Sequence, residues 1–80
     1  MKLCEAFCKR LQELIDGRYK SVYEFCIKNG IARSTIENLM AGNSKSPKLS
    51  TVYEVSSALG ISPLEFLDAE VFLTENIEID

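Results

Sequence analysis

The segment Arg33-Ser34-Thr35-Ile36-Glu37-Asn38 gathers side chains that can read the edges of bases. An arginine can grip guanine O6 and N7 with two hydrogen bonds, an asparagine can pair similarly with adenine N6 and N7, and a glutamate can accept from a cytosine amine. On a helix whose Ile36, Leu39 and Met40 turn inward, residues 33, 34, 37 and 38 project from the opposite face near the helix N-terminus. Arg33 and Glu37 are also spaced i, i+4, which equally suits a plain surface ion pair.

Other chemistries find little support. Cys4 and Cys8 lie one turn apart on one helical face, the spacing of a soft-metal or redox pair. With no histidine and only Cys26 besides, a tetrahedral zinc shell would need carboxylate ligands, so no metal and no cofactor is expected. All three cysteines read as small buried hydrophobes in a reducing compartment. There is no Gly-rich phosphate loop, nucleophile elbow or Ser/His pair. Acid pairs such as Glu65 with Asp68 are explained by helix solvation and the N-terminal dipole. An enzyme is the class least supported.

The reading segment must be held by its neighbours, and the apolar periodicity predicts how. Cys4, Phe7, Cys8, Leu11, Leu14 and Ile15 form the inner stripe of a helix over residues 3–16, with Lys9, Arg10, Gln12 and Glu13 facing water and Gly17 as the stop. Ser21 with Glu24 is a capping box that starts a second helix, which buries Val22, Phe25 and Cys26, runs to about Asn29 and ends at Gly30. Only Ile31 and Ala32 separate Gly30 from the run Arg33 to Ala41, which stops at Gly42. Ala32 is a poor N-cap there, and Ser34 with Glu37 offers a cap two residues later. A polar loop follows, Asn43 to Pro47. A fourth helix then turns Leu49, Val52, Val55 and Leu59 inward and ends at Gly60. Ser62-Pro63-Leu64-Glu65 combines an N-cap serine, a first-position proline and a capping-box glutamate, predicting a short fifth helix to about Asp68.

Composition sets the scale. Eighty residues that are 46% apolar make one small domain with one modest core, stable by roughly 3–5 kcal/mol unless a partner, metal or disulfide helps. The N-terminal segment has no apolar region of signal-peptide type, and no stretch approaches a membrane span, so a cytoplasmic protein without membrane attachment is expected. The net charge of −3 is uneven: residues 1–64 carry nine bases against six acids, whereas residues 65–80 carry six acids and no base. Residues 17–48 alone come to +4, an asymmetry that favours a polyanionic partner for the body.

Val22, Cys26, Gly30 and Ile36 stand at intervals of four, four and six residues. A small residue at 26 permits close helix crossing, Gly30 supplies the turn, and Ile36 pins the second helix to the first. The pair suits a major groove about 12 Å wide. Here the sequence resembles the lambda-repressor-like helix-turn-helix family of phage repressors, Cro proteins and xenobiotic-response-element regulators. The resemblance covers residues 5–67. It is carried most specifically by Gly30 to Leu39, Ala41-Gly42, the loop to Pro47 and Ser57 to Ser62. It implies an all-α five-helix bundle that binds double-stranded DNA, usually as a homodimer, with its third helix in the major groove.

Carried over by position, the resemblance makes Arg33, Ser34 and Asn38 base-facing, with Thr35 and Glu37 beside them. It assigns phosphate contacts to Ser21, Asn43, Lys45 and Lys48, a strip that Arg18 and Lys20 can extend. Many relatives have glutamine at the position of Val22, where its amide bridges a phosphate and a base; valine cannot make that contact.

The expectation is therefore a DNA-binding domain over residues 1–69 and an acidic tail over 70–80. The tail is either a frayed terminus or a dimerisation element using Val71, Phe72, Ile77 and Ile79. The expected function is a sequence-specific transcriptional regulator of repressor type on a two-fold operator. The alternative is a protein-interaction module on the same fold, antitoxin-like or regulator-binding, with little DNA affinity.

Overall fold

A central helix organises the chain. In the computed structural model, which describes residues 1–44 and 46–78, α1 (Leu3–Ile15) packs against α2 (Val22–Asn29), α3 (Arg33–Met40) and α4 (Leu49–Leu59). The bundle is completed by α5 (Pro63–Leu67), which lies on α4, and by two 3-10 turns at Glu70–Phe72 and Thr74–Asn76. The molecule measures 33 × 25 × 22 Å. Among the described residues no strand is present beyond a single parallel bridge between Lys2 and Glu78, and no helix is long and apolar enough to cross a membrane.

Cys4, Phe7, Leu11 and Ile15 form the buried stripe of α1, and they meet Phe25 and Cys26 of α2, Ile36 and Leu39 of α3, and Val52, Val55 and Leu59 of α4. Phe66 of α5 is fully buried, with its ring 5.4 Å from Phe7 and 6.1 Å from Phe72.

The helix ends follow from local chemistry. Ser21 Oγ accepts from the Glu24 amide at 3.1 Å, but the Glu24 carboxylate accepts from the amide of Lys20 at 3.4 Å, one residue before the expected reciprocal partner. Gly30 ends α2 at φ +66°, a left-handed conformation that costs glycine little, and the following Ile31 amide closes on the Cys26 carbonyl at 3.0 Å. Ser62 caps α5 by accepting from the Glu65 amide at 3.1 Å. Ala32 gives α3 no side-chain cap, and Ser34 sits inside the helix instead of starting it, so the late cap does not form.

Several side chains depart from the periodic pattern. Met40 is 49% exposed and Leu49 69% exposed, although both fall on expected inner stripes. Each lies in a terminal turn left largely open to solvent among the described residues, and Thr51 takes the buried position at the start of α4. Val22 and Cys8 are only half-buried, packed at the core margin. Arg10, expected in water, donates from Nε to the Phe66 carbonyl at 2.8 Å and from Nη2 to the Glu65 carbonyl at 2.9 Å. It satisfies carbonyls at the end of α5 that the short helix cannot pair itself.

The tail turns back over α1. Phe72 packs on its own chain's Phe66 and is half-buried, while Leu73 is exposed. Asn76 Nδ2 donates to the Glu70 carbonyl at 3.0 Å, and the Glu78 amide donates to the Met1 carbonyl at 2.8 Å. Residues 70–78 form two 3-10 turns and a bridge to the N-terminal segment; Ile79 and Asp80 lie outside the described residues.

Candidate nucleic-acid interface

The interface is built from the inside outward. Cys26, Ile31, Ile36 and Leu39 are buried where α2 meets α3, so α3 is fixed by one side. Its other side carries Arg33, Ser34, Glu37 and Asn38, all exposed. Thr35 is half-buried. It lines a groove of about 360 Å³ together with Asn38, Ser44, Ser46 and Lys48, between α3, the following loop and the start of α4. The Asn38 carbonyl accepts from the Asn43 amide at 2.9 Å and the Ser44 amide at 3.4 Å, which folds that loop back beside the helix.

Arg33 and Glu37 form the ion pair that their spacing permits, with Nε 2.8 Å from Oε1 and both side chains more than half exposed. The guanidinium carbon also lies 4.7 Å from the centroid of the Tyr23 ring. Sequence reasoning missed Tyr23. The signal available was an aromatic off the inner stripe of Val22, Phe25 and Cys26 in the first turn of α2.

The expected phosphate residues divide. Ser21 is exposed at the N-cap of α2 beside Lys20, and Asn43 and Lys48 are exposed on either side of the loop, with Lys48 at the N-cap of α4. Lys45 lies outside the described residues. Arg18 has an intramolecular engagement: Nη1 donates to the Leu59 carbonyl at 3.3 Å, and its guanidinium carbon lies 6.0 Å from the Tyr19 centroid. That places it at the C-terminal end of α4, about 16 Å along the helix from Lys48.

The thiols of Cys8 and Cys26 have little reactivity to offer at neutral pH. Burial pushes Cys8 up to about 11, helped by neighbouring Cys4, and burial followed by the Glu37 charge raises Cys26. A protonated thiol is a poor nucleophile and a poor metal ligand. Among the described residues no three His, Cys, Asp or Glu side chains gather in a metal-binding cluster.

A buried α2–α3 junction beneath an exposed polar face defines a helix-turn-helix. Residues 9–71 match the Cro/C1-type HTH DNA-binding domain, and the chain belongs to that family of DNA-binding regulators, which is not an enzymatic one. Among solved structures it is similar to that of the prophage Lp1 protein 11, with 30% sequence identity and a TM-score of 0.77 over 90% of this chain and 96% of that one. No curated protein matches it. The family resemblance and the five-helix all-α fold read from the sequence are both upheld.

Proposed function

We propose that the chain is a repressor-type regulator that binds a two-fold operator as a homodimer, each subunit seating the N-terminal half of α3 in the major groove. The observation that carries this reading is the single exposed face of Arg33, Ser34, Glu37 and Asn38 over the buried pair Ile36 and Leu39. Arg33, Ser34 and Asn38 face the bases, flanked by Thr35 and Glu37. Lys20, Ser21, Asn43 and Lys48 hold phosphates, and Lys45 shares that role from the loop. Arg18, an exposed residue, extends that strip while engaging the Leu59 carbonyl through Nη1. Blocking polymerase by occupancy is the mechanism, with the two helices in successive major grooves about 34 Å apart.

The domain division is part of the same proposal: residues 1–69 contact DNA, and the tail supports dimerisation through Leu73 and its neighbours. Replacing Leu73 by Glu leaves Phe72 in place and is expected to shift a dimer toward monomer in sedimentation; an unchanged mass discards the tail's role.

A second reading has its own support. Tyr23, Ile27 and Met40 are exposed apolar side chains, and Val22 lacks the amide that many relatives use, features that suit a protein-binding face. Selection from a random duplex pool decides. An enriched inverted repeat is the result expected of operator binding, and a pool without enrichment favours the interaction module.

A further inference from the structure

Two groups hold the side chain of Arg33. Tyr23 comes from the second residue of α2 and Glu37 from the second turn of α3, so Arg33 is gripped across the helix-turn-helix as well as along its own helix. The ring centroid lies 4.7 Å from the guanidinium carbon, a distance at which the negative face of an aromatic attracts the cation. Glu37 Oε1 lies 2.8 Å from Nε.

The carboxylate pairs with Nε and the ring centroid lies near the guanidinium carbon. The two terminal nitrogens are the fork that matches guanine O6 and N7. A free arginine samples many rotamers, and ordering it on binding opposes association. An arginine already paired and held beside a ring loses less.

We infer that Tyr23 and Glu37 are positioning residues that set Arg33 end-on to the base edge and make guanine the preferred base where it lands. The inference rests on the proposed seating of α3 in the major groove. Because Tyr23 is itself half exposed, replacing it leaves the core intact.

The experiment uses the full chain and duplexes selected from a random pool. Arg33→Ala first identifies the base position that Arg33 reads, as the one that becomes relaxed. The ratio of affinities for guanine against adenine at that position is then measured by competition anisotropy. In Tyr23→Leu this ratio falls about two- to fivefold, the scale of an exposed cation–π contact. Tyr23→Phe retains the ratio, and affinity for an unrelated duplex stays at the wild-type value in both variants. In the free protein, the Arg33 Nε–H resonance moves in Tyr23→Leu and holds in Tyr23→Phe.

A wild-type ratio in Tyr23→Leu overturns the inference, as does an equal loss on every duplex or an unmoved resonance. Glu37→Gln removes a negative charge and so tightens every duplex, but it should also lower the guanine-to-adenine ratio; an unchanged ratio in that variant overturns the inference too. If Arg33→Ala relaxes no base position, the base-reading role fails and this inference fails with it. A clear Arg33 effect with no Tyr23 effect removes the inference alone.

Discussion

Single side chains in this interface divide into those that select a sequence and those that hold any duplex. Arg33→Ala is expected to cost about 1–3 kcal/mol on the selected site and to relax one base position, whereas Lys48→Ala should weaken all sequences alike and flatten the salt slope by about 1. Binding titrations on matched and mismatched duplexes separate the two. Cys8 makes a different prediction. Its folded-state pKa of about 11 lies above the ordinary 9.0, so between those values the unfolded chain releases a proton that the folded chain keeps. Stability is unaffected below pH 9 and falls as pH rises from there toward 11. Melting curves of Cys8→Ala should show a shallower loss over that window than the parent. Arg33, Glu37 and Asn38 were legible because helical spacing alone places them on one face. Tyr23, Arg10 and Arg18 were not, because their partners lie across helix crossings that periodicity does not encode.

At the scale of elements, helix limits were legible because they are local. Ser21, Gly30, Gly60 and the Ser62-Pro63 pair act within a few residues of themselves, and each marks a helix end in the structure. The inner stripes were less so. A repeat shows which side of a helix is apolar, but not whether anything lies over its last turn, and Met40 and Leu49 are exposed for that reason. The converse holds at Ser56, a polar residue that is fully buried on α4 with its hydroxyl unpartnered among the described residues. Removing an unsatisfied buried hydroxyl recovers its desolvation cost, so Ser56→Ala should raise stability by about 1 kcal/mol in urea denaturation. A loss of that size would show that the hydroxyl has a partner after all.

For the whole molecule, the uneven charge matters more than its sum. A chain of net charge −3 binds a polyanion only if its bases are gathered, and six of the nine fall within residues 17–48. With about three basic phosphate contacts per subunit, a bound dimer should lose affinity with log salt at a slope of about −5, and an affinity indifferent to salt would contradict major-groove seating. The tail was the least legible part. Val71-Phe72-Leu73 carries no helical or strand period long enough to show which way it turns, and its direction is decided by Phe66, a residue of another element.

That aromatic chain has a thermodynamic consequence. Phe66 touches Phe7 on one side and Phe72 on the other, and Arg10 ties α1 to the carbonyls of Glu65 and Phe66. The acidic end is therefore expected to melt with the bundle as one cooperative unit. Calorimetry should record a single endotherm whose van't Hoff and measured enthalpies agree, and amides of the Glu70–Phe72 turn should exchange with deuterium at rates nearer those of α1 than those of a loose terminus.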